Sequence, residues 1–228
     1  MSNVRDFGAA GDGRHDDSDS IQHALTDGDG RLEFPPGNYL LTRTITVELA
    51  EKGRFAIDGS GGTAKIIMTG EGPAFHLIGT HDKSAAPDGF KPGVWSHERL
   101  PTVAHIEIEG RHPRASGFWL YRTMQTTFAG VLLRELEDGI RVFDRARNLL
   151  ISHCHIYNNR GIGVFLDRVN LHQAIITGSH ISYCRRAGIK IVGSEVRNLQ
   201  ITGNDIEYNY DLANKDCADV IIDATADG

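Results

Sequence analysis

The chain has 228 residues, and Lys plus Arg at 24 against Asp plus Glu at 30 leave a net charge of -6. That balance argues against nucleic-acid or anionic-membrane binding through bulk charge, and no apolar run approaches the roughly 20 residues that span a bilayer. The three cysteines, Cys154, Cys184 and Cys217, contain no CxxC pair and are odd in number, so neither a disulfide framework nor a zinc site follows from them.

In chain order, Met1-Ser2-Asn3-Val4-Arg5-Asp6-Phe7 lacks the apolar core of a signal peptide, which leaves open an intracellular protein and one whose leader has been removed. Residues 1–47 read as an N-terminal cap and first coil. Within them Asp16-Asp17-Ser18-Asp19-Ser20 precedes Ile21, Ala24 and Leu25, whose spacing marks one face of a short helix. A helix there plugs the open end of a stack of strands, and the acidic residues before it are expected to cap it. Pro35-Pro36-Gly37-Asn38 is a turn, and Tyr39-Leu40-Leu41-Thr42 and Thr44-Ile45-Thr46-Val47 read as strands. Short strands follow at Phe55–Ile57, Lys65–Met68, Ala74–Leu77 and His105–Ile108. The stretch 79–102 between the last two is rich in Pro, Gly and charge and carries Trp95, His81 and His97. A loop that long is expected to serve function or to be disordered.

From 129 to 228 the coils become regular. Ile151, Ile176 and Ile201 fall 25 residues apart, as do Ile156, Ile181 and Ile206, and as do Cys154, Ser179 and Asn204. Such a period, with apolar alternation inside it, predicts a stacked solenoid in a single domain, 1–228. Asp138-Gly139-Ile140-Arg141-Val142, Arg160-Gly161-Ile162-Gly163-Val164 and Ala187-Gly188-Ile189-Lys190-Ile191 read as equivalent strands, their gaps of 22 and 27 set by turn length. The expected architecture is all-β: a right-handed parallel β-helix, three sheets around a narrow apolar core, with a short N-terminal capping helix. Ile151, Ile156, Val164, Ile176, Ile181 and Ile191 should point inward. Ser152, Thr177, Thr202, His155, His180, Asp205, Arg141, Gly163 and Lys190 should point outward. Cys154 is read as a small buried residue.

Val4-Arg5-Asp6-Phe7-Gly8-Ala9-Ala10-Gly11-Asp12-Gly13, with Asp16-Asp17-Ser18, Ile21-Gln22-His23-Ala24 and Phe34-Pro35-Pro36-Gly37-Asn38-Tyr39, resembles the opening of the pectate-lyase-like superfamily. Its members include rhamnogalacturonase-, polygalacturonase- and epimerase-like parallel β-helices and phage tailspike depolymerases. The resemblance implies action on a polysaccharide and an extracellular setting. Leu136-Glu137-Asp138-Gly139-Ile140 matches the Asn-Thr-Asp-Gly strand start of polygalacturonase-like hydrolases at Asp138, but Asn159-Arg160-Gly161 supplies no second carboxylate. Arg186-Ala187-Gly188-Ile189-Lys190 lacks the family histidine. Inverting hydrolysis needs two carboxyls about 6.5–9.5 Å apart, so polygalacturonase chemistry is not expected.

The catalytic candidates are therefore Asp138, Arg160 and Lys190, in a lyase, epimerase or atypical glycoside hydrolase acting on an acidic, uronate-containing polysaccharide. Guanidinium forks suit uronate carboxylates, and a lysine beside them could act as base. Arg141 and Arg186 are candidate substrate-binding residues. So are Trp119 and Tyr121, which alternate with Phe118 and Leu120 and could stack on sugar rings. The alternative is a non-catalytic glycan-binding or structural β-helix of a tailspike or surface protein. Its last strand, Ala218–Asp223, would be covered by a homo-oligomer or a longer native chain. His155, His180 and Asp205 form an outward column read as a plain ladder. No metal or cofactor is expected, except Ca2+ should lyase chemistry operate, and neither nucleic acid nor a membrane is expected as partner.

Overall fold

A computed structural model describes residues 2–83 and 90–224; residues 84–89 of the long loop and the last four of the chain lie outside the described residues. The chain winds into coils in which every pair of neighbouring strands is parallel. Among the described residues one sheet has eight strands in strict sequence order, from Asp12–Asp16 to Asp205–Glu207, and a second has 12. The three expected faces are present, but two belong to one sheet. The strands Asp138–Ser152, Ile162–Thr177 and Ala187–Thr202 run unbroken round a corner.

Each coil turns at left-handed residues that recur in columns. His153, Gly178 and Gly203 (φ 53, 59 and 64°) lead into the eight-stranded sheet, and Asn158, Tyr183 and Tyr208 (φ 54, 55 and 55°) lead out of it. Asp144, Arg168 and Gly193 (φ 64, 47 and 55°) make the corner inside the larger sheet. A non-glycine residue in that region costs roughly 1–2 kcal/mol, which the ladder bonds on either side must offset.

Alternation then fills the interior. Phe75, Phe118, Ile140, Val164 and Ile189 stack in one inward column, and Leu77, Leu120, Val142, Leu166 and Ile191 in the next, all essentially inaccessible. Each such side chain contributes about 1.5–3 kcal/mol by leaving water. Ile151, Ile156, Ile176 and Ile181 are buried as their period predicts. Cys154 is buried too, at the head of a ladder: its N–H donates to Ser179 Oγ (3.1 Å), and the Ser179 N–H donates to Asn204 Oδ1 (3.0 Å). A polar column thus satisfies backbone donors that the turn leaves unpaired.

The helix Ser18–Asp27 covers the N-terminal end and buries Ile21, Ala24 and Leu25. Gln22 completes the closure: its Nε2 donates to Thr46 O (3.1 Å) while its Oε1 accepts from Thr46 N (3.0 Å), so a side-chain amide occupies the edge of the strand Ile45–Glu48. The capping expectation is partly redistributed. Asp16 accepts from Ser18 N (3.0 Å), but Asp17 accepts from Ala10 and Gly11 (2.6 and 3.2 Å), tying down the opening turn instead of the helix. No helix among the described residues is long and apolar enough to cross a membrane.

The register corrects one expectation from the sequence. Ile140 pairs with Val164 and Val164 with Ile189, so Gly139, Gly163 and Gly188 form a column and Asp138 stands opposite Ile162. The middle strand therefore sits two residues later than the alignment on Arg160-Gly161-Ile162. A two-residue slip preserves strand parity, which is why alternation alone does not detect it. Gly163, expected outward, is instead buried, closed in by Gly188, Ile181 and Ile156, and with the later register Arg160 lies in the turn before the strand.

Candidate functional site

The outward side of the face made by Gly72–Ile78, Ala115–Met124 and the first halves of the three long strands carries two columns. His76, Trp119, Arg141, Phe165 and Lys190 form one, and Ile78, Tyr121, Phe143, Asp167 and Val192 the other. Together with the corner residues Asp144 and Arg168 they build a cleft of about 430 Å³ lined by Trp119, Tyr121, Arg141, Phe143 and Asp167.

Arg141 is the centre of this site. Its guanidinium carbon lies 5.4 Å from the Trp119 ring centroid, 5.9 Å from Phe143 and 5.3 Å from Phe165, each contact of the cation–π type. Its Nε also donates to Asp167 Oδ2 (3.0 Å), and its terminal nitrogen donates to the same oxygen. Asp167 is 1% exposed, and Arg168 bonds it as well at 3.0 Å. A carboxylate this deep requires charged donors, because an unpaired buried charge is costly. Around them His76 and Trp119 meet edge to face at 5.9 Å, Tyr121 and Phe143 lie tilted to each other at 5.4 Å, and Arg122 pairs with Asp144 (2.5 Å) at the rim. His76 Nε2, Trp119 Nε1 and Asp167 Oδ1 are buried and lack a hydrogen-bond partner among the described residues.

The residues singled out from sequence divide between this cleft and the turn beside it. Trp119, Tyr121 and Arg141 line the cleft. Lys190 is half-buried on the same face, in the column of Arg141 with Phe165 between them. Asp138, Arg160 and Arg186 stand at the turn. Asp138 is 6% exposed and accepts from Ile162 N (3.3 Å); burial pushes its carboxyl up to about 6, against the pull of Arg141. Arg160 donates to the carbonyls of Glu135 and, at 3.4 Å, Gly110, stapling successive coils, and Arg186 pairs with Glu137 at 3.1 Å. The buried Cys184 thiol is pushed up to about 11 by burial, with the Asp138 charge adding to the rise.

The sequence reading missed Phe143, Asp144, Phe165, Asp167 and Arg168. The signal for Asp167 was its place opposite Phe143, one coil on from Arg141, legible only in the correct register. The long loop does not contribute to the cleft lining among the described residues. It is clamped elsewhere: buried Glu98 accepts from Thr80 N (2.7 Å) and Thr80 Oγ1 (2.5 Å), and Trp95 stacks on Phe90 at 5.8 Å.

Parallel coils, right-handed winding and an outward cleft on one face define a class of protein, and residues 90–224 match the family described as the right handed beta helix region; the chain belongs to that family. Among solved structures it is similar to the A-module of mannuronan C-5 epimerase AlgE4 from Azotobacter vinelandii, with a TM-score of 0.51 and 17% identity over 97% of this chain and 63% of that one. The Agl-KA catalytic domain gives a TM-score of 0.58 and 17% identity over 97% and 47%, and ORF18 of Geobacillus virus E2 gives 0.51 and 17% over 87% and 52%. The chain thus spans from about half to under two thirds of the length of these structures, and at such identity the likeness is one of fold. No curated protein matches the chain.

Proposed function

We propose that the chain binds an acidic polysaccharide along the face that carries Trp119, Arg141 and Lys190. The observation that carries this reading is the cleft itself, where aromatic rings surround a guanidinium backed by a buried carboxylate. Aromatic faces take the apolar sides of sugar rings, and planar guanidinium forks take uronate carboxylates. Lys190 has no ion-pair partner among the described residues and continues the cationic line beyond Phe165. The fold shared with an epimerase module supports a carbohydrate partner.

Recognition fits this geometry better than turnover. Arg160 spends its donors on main-chain carbonyls, and Asp138, raised though its carboxyl is, lies buried at the turn. Among the described residues no pair made of an accessible acid and an accessible base lines the cleft. The test is affinity electrophoresis and calorimetry against a panel of uronate and neutral polysaccharides, with ultraviolet detection of unsaturated products and reducing-end assay in parallel. Retardation by uronate polymers, weakened about tenfold by Trp119→Ala and by Lys190→Ala to a lesser degree, with no product, is expected. Product formation would replace binding by lyase or hydrolase activity, and the absence of any binding would remove the proposal. Light scattering on the same samples tests whether a homo-oligomer presents several such faces together.

A further inference from the structure

We propose that His180, Asp205 and Glu207 form a binding site for a divalent first-row transition metal ion on the eight-stranded sheet, away from the cleft. His180 belongs to the strand His180–Ser182 and the two acids to Asp205–Glu207 in the next coil; His180 pairs in register with Asp205 and Ser182 with Glu207. Strand alternation puts positions 205 and 207 on the same outer side. The result is that one ligand atom from each of the three residues lies within 4.8 Å of the other two. The sequence points to the column His155, His180 and Asp205; the fold instead brings in Glu207 from the neighbouring column.

An independent observation concerns charge. The same two outward columns carry a second pair of acids, Glu107 and Glu109, in an earlier coil. There the charge is met in full: Arg134 bonds Glu107 (2.8 Å) and Glu109 (2.6 Å), and Glu109 also takes Lys65 (3.0 Å) and Arg111 (2.9 Å). At Asp205 and Glu207 no Lys or Arg pairs with either carboxylate among the described residues, and the His180 side chain makes ring contacts to His155 (6.0 Å) and Tyr157 (6.4 Å). A rigid ladder therefore holds two like charges beside an imidazole where the equivalent rung holds cations.

The donor set selects the ion. Carboxylates alone suit calcium or magnesium, whereas an imidazole nitrogen joined to two carboxylates suits zinc, copper or nickel. Around zinc the ligand atoms would lie ~3.3 Å apart, from bond lengths of about 2.0–2.2 Å. The groups must draw together by ~1.5 Å at most, within the reach of side-chain rotation. Because the ligands come from successive coils, the ion would tie one coil to the next, and occupancy would stabilise the fold by mass action.

The test uses the full chain, freed of metal by chelator and dialysis, titrated with ZnCl2 by calorimetry and followed by thermal melts, with CaCl2 in parallel. One zinc per chain at micromolar affinity and a rise in Tm are expected, with neither effect from calcium. His180→Ala and Asp205→Asn should each weaken zinc at least about tenfold and abolish the Tm rise. Both change side chains on the outer surface, and unchanged metal-free melts will show that the fold is intact. His155→Ala should leave the affinity within about twofold, since that ring lies outside the proposed ligand set. The proposal is overturned by any one of three results: no saturable zinc binding, equal binding in both ligand variants, or calcium binding as tight as zinc.

Discussion

Asp138 shows how burial can make a single side chain chemically unusual. Burial holds its carboxyl near 6 instead of the ordinary 3.8, the Arg141 charge opposes this and Glu137 reinforces it. The folded state therefore keeps a proton that the unfolded chain has already released between those two values. Stability from this group is complete below the unfolded value and is lost as pH rises through the folded one, about 3 kcal/mol in all. Asp138→Asn cannot ionise and retains an oxygen for the Ile162 amide. Urea unfolding of both proteins from pH 4 to 7 should show the wild type losing ground to the variant by roughly that amount. A difference that stays flat across the range would mean that the carboxyl is ionised throughout or reaches water. The same burial that raises the carboxyl leaves it 6% exposed, and resemblance at one position carries chemistry only when the surrounding register agrees.

At the scale of the strand, the column Gly117, Gly139, Gly163 and Gly188 explains why each coil repeats a glycine before its apolar pair. A Cβ on Gly117, Gly139 or Gly163 would lie 2.4, 2.5 or 2.6 Å from the carbonyl oxygen of the next glycine, and one on Gly188 2.8 Å from Asp219 O. Main chain cannot yield to such a contact without breaking ladder bonds on both sides. Gly163→Ala should therefore destabilise by about 1–3 kcal/mol, as overpacking does, measured by the urea midpoint at unchanged m-value. Gly203→Ala is the comparison: open space surrounds it, and its cost comes from φ 64° alone. An equal loss at both positions would contradict the packing explanation. This column also marks how far the sequence could be read. The 25-residue period exposes the coils from Ile151 onward, because turn lengths there are constant. The shorter step from Ile140 to Val164 breaks that constancy, and a slip of two conserves every inward and outward assignment by parity. Arg160 and Gly163 were displaced by that slip, and Phe165 and Asp167 were hidden by it. Trp119 and Tyr121 needed no register between coils, only alternation within one strand, and so could be named from the sequence.

Taken whole, the molecule is a one-dimensional stack whose stability is close to a sum of coils and the contacts between neighbours. The two ends differ. At the N-terminus Gln22 supplies the hydrogen bonds of a missing strand, and the helix buries the last apolar layer. At the other end of the described residues Ile222 is 61% exposed although it continues the inward column of Val142, Leu166 and Ile191. Opening should therefore begin at the ends and reach the middle last. Native-state hydrogen exchange should find the amides of Ile151, Val164 and Ile176 slowest and those of Ala218–Asp223 among the fastest in strand. Gln22→Ala removes the amide clasp from Thr46 and costs about 1–2 kcal/mol locally. It should accelerate exchange in Ile45–Glu48 and the neighbouring strand Gly72–Ile78 while leaving Ile176 at its wild-type rate. Should exchange at Ile176 accelerate by the same factor as at Thr46, the coils would be unfolding as one cooperative body, and the face that carries the cleft would open together with its cap.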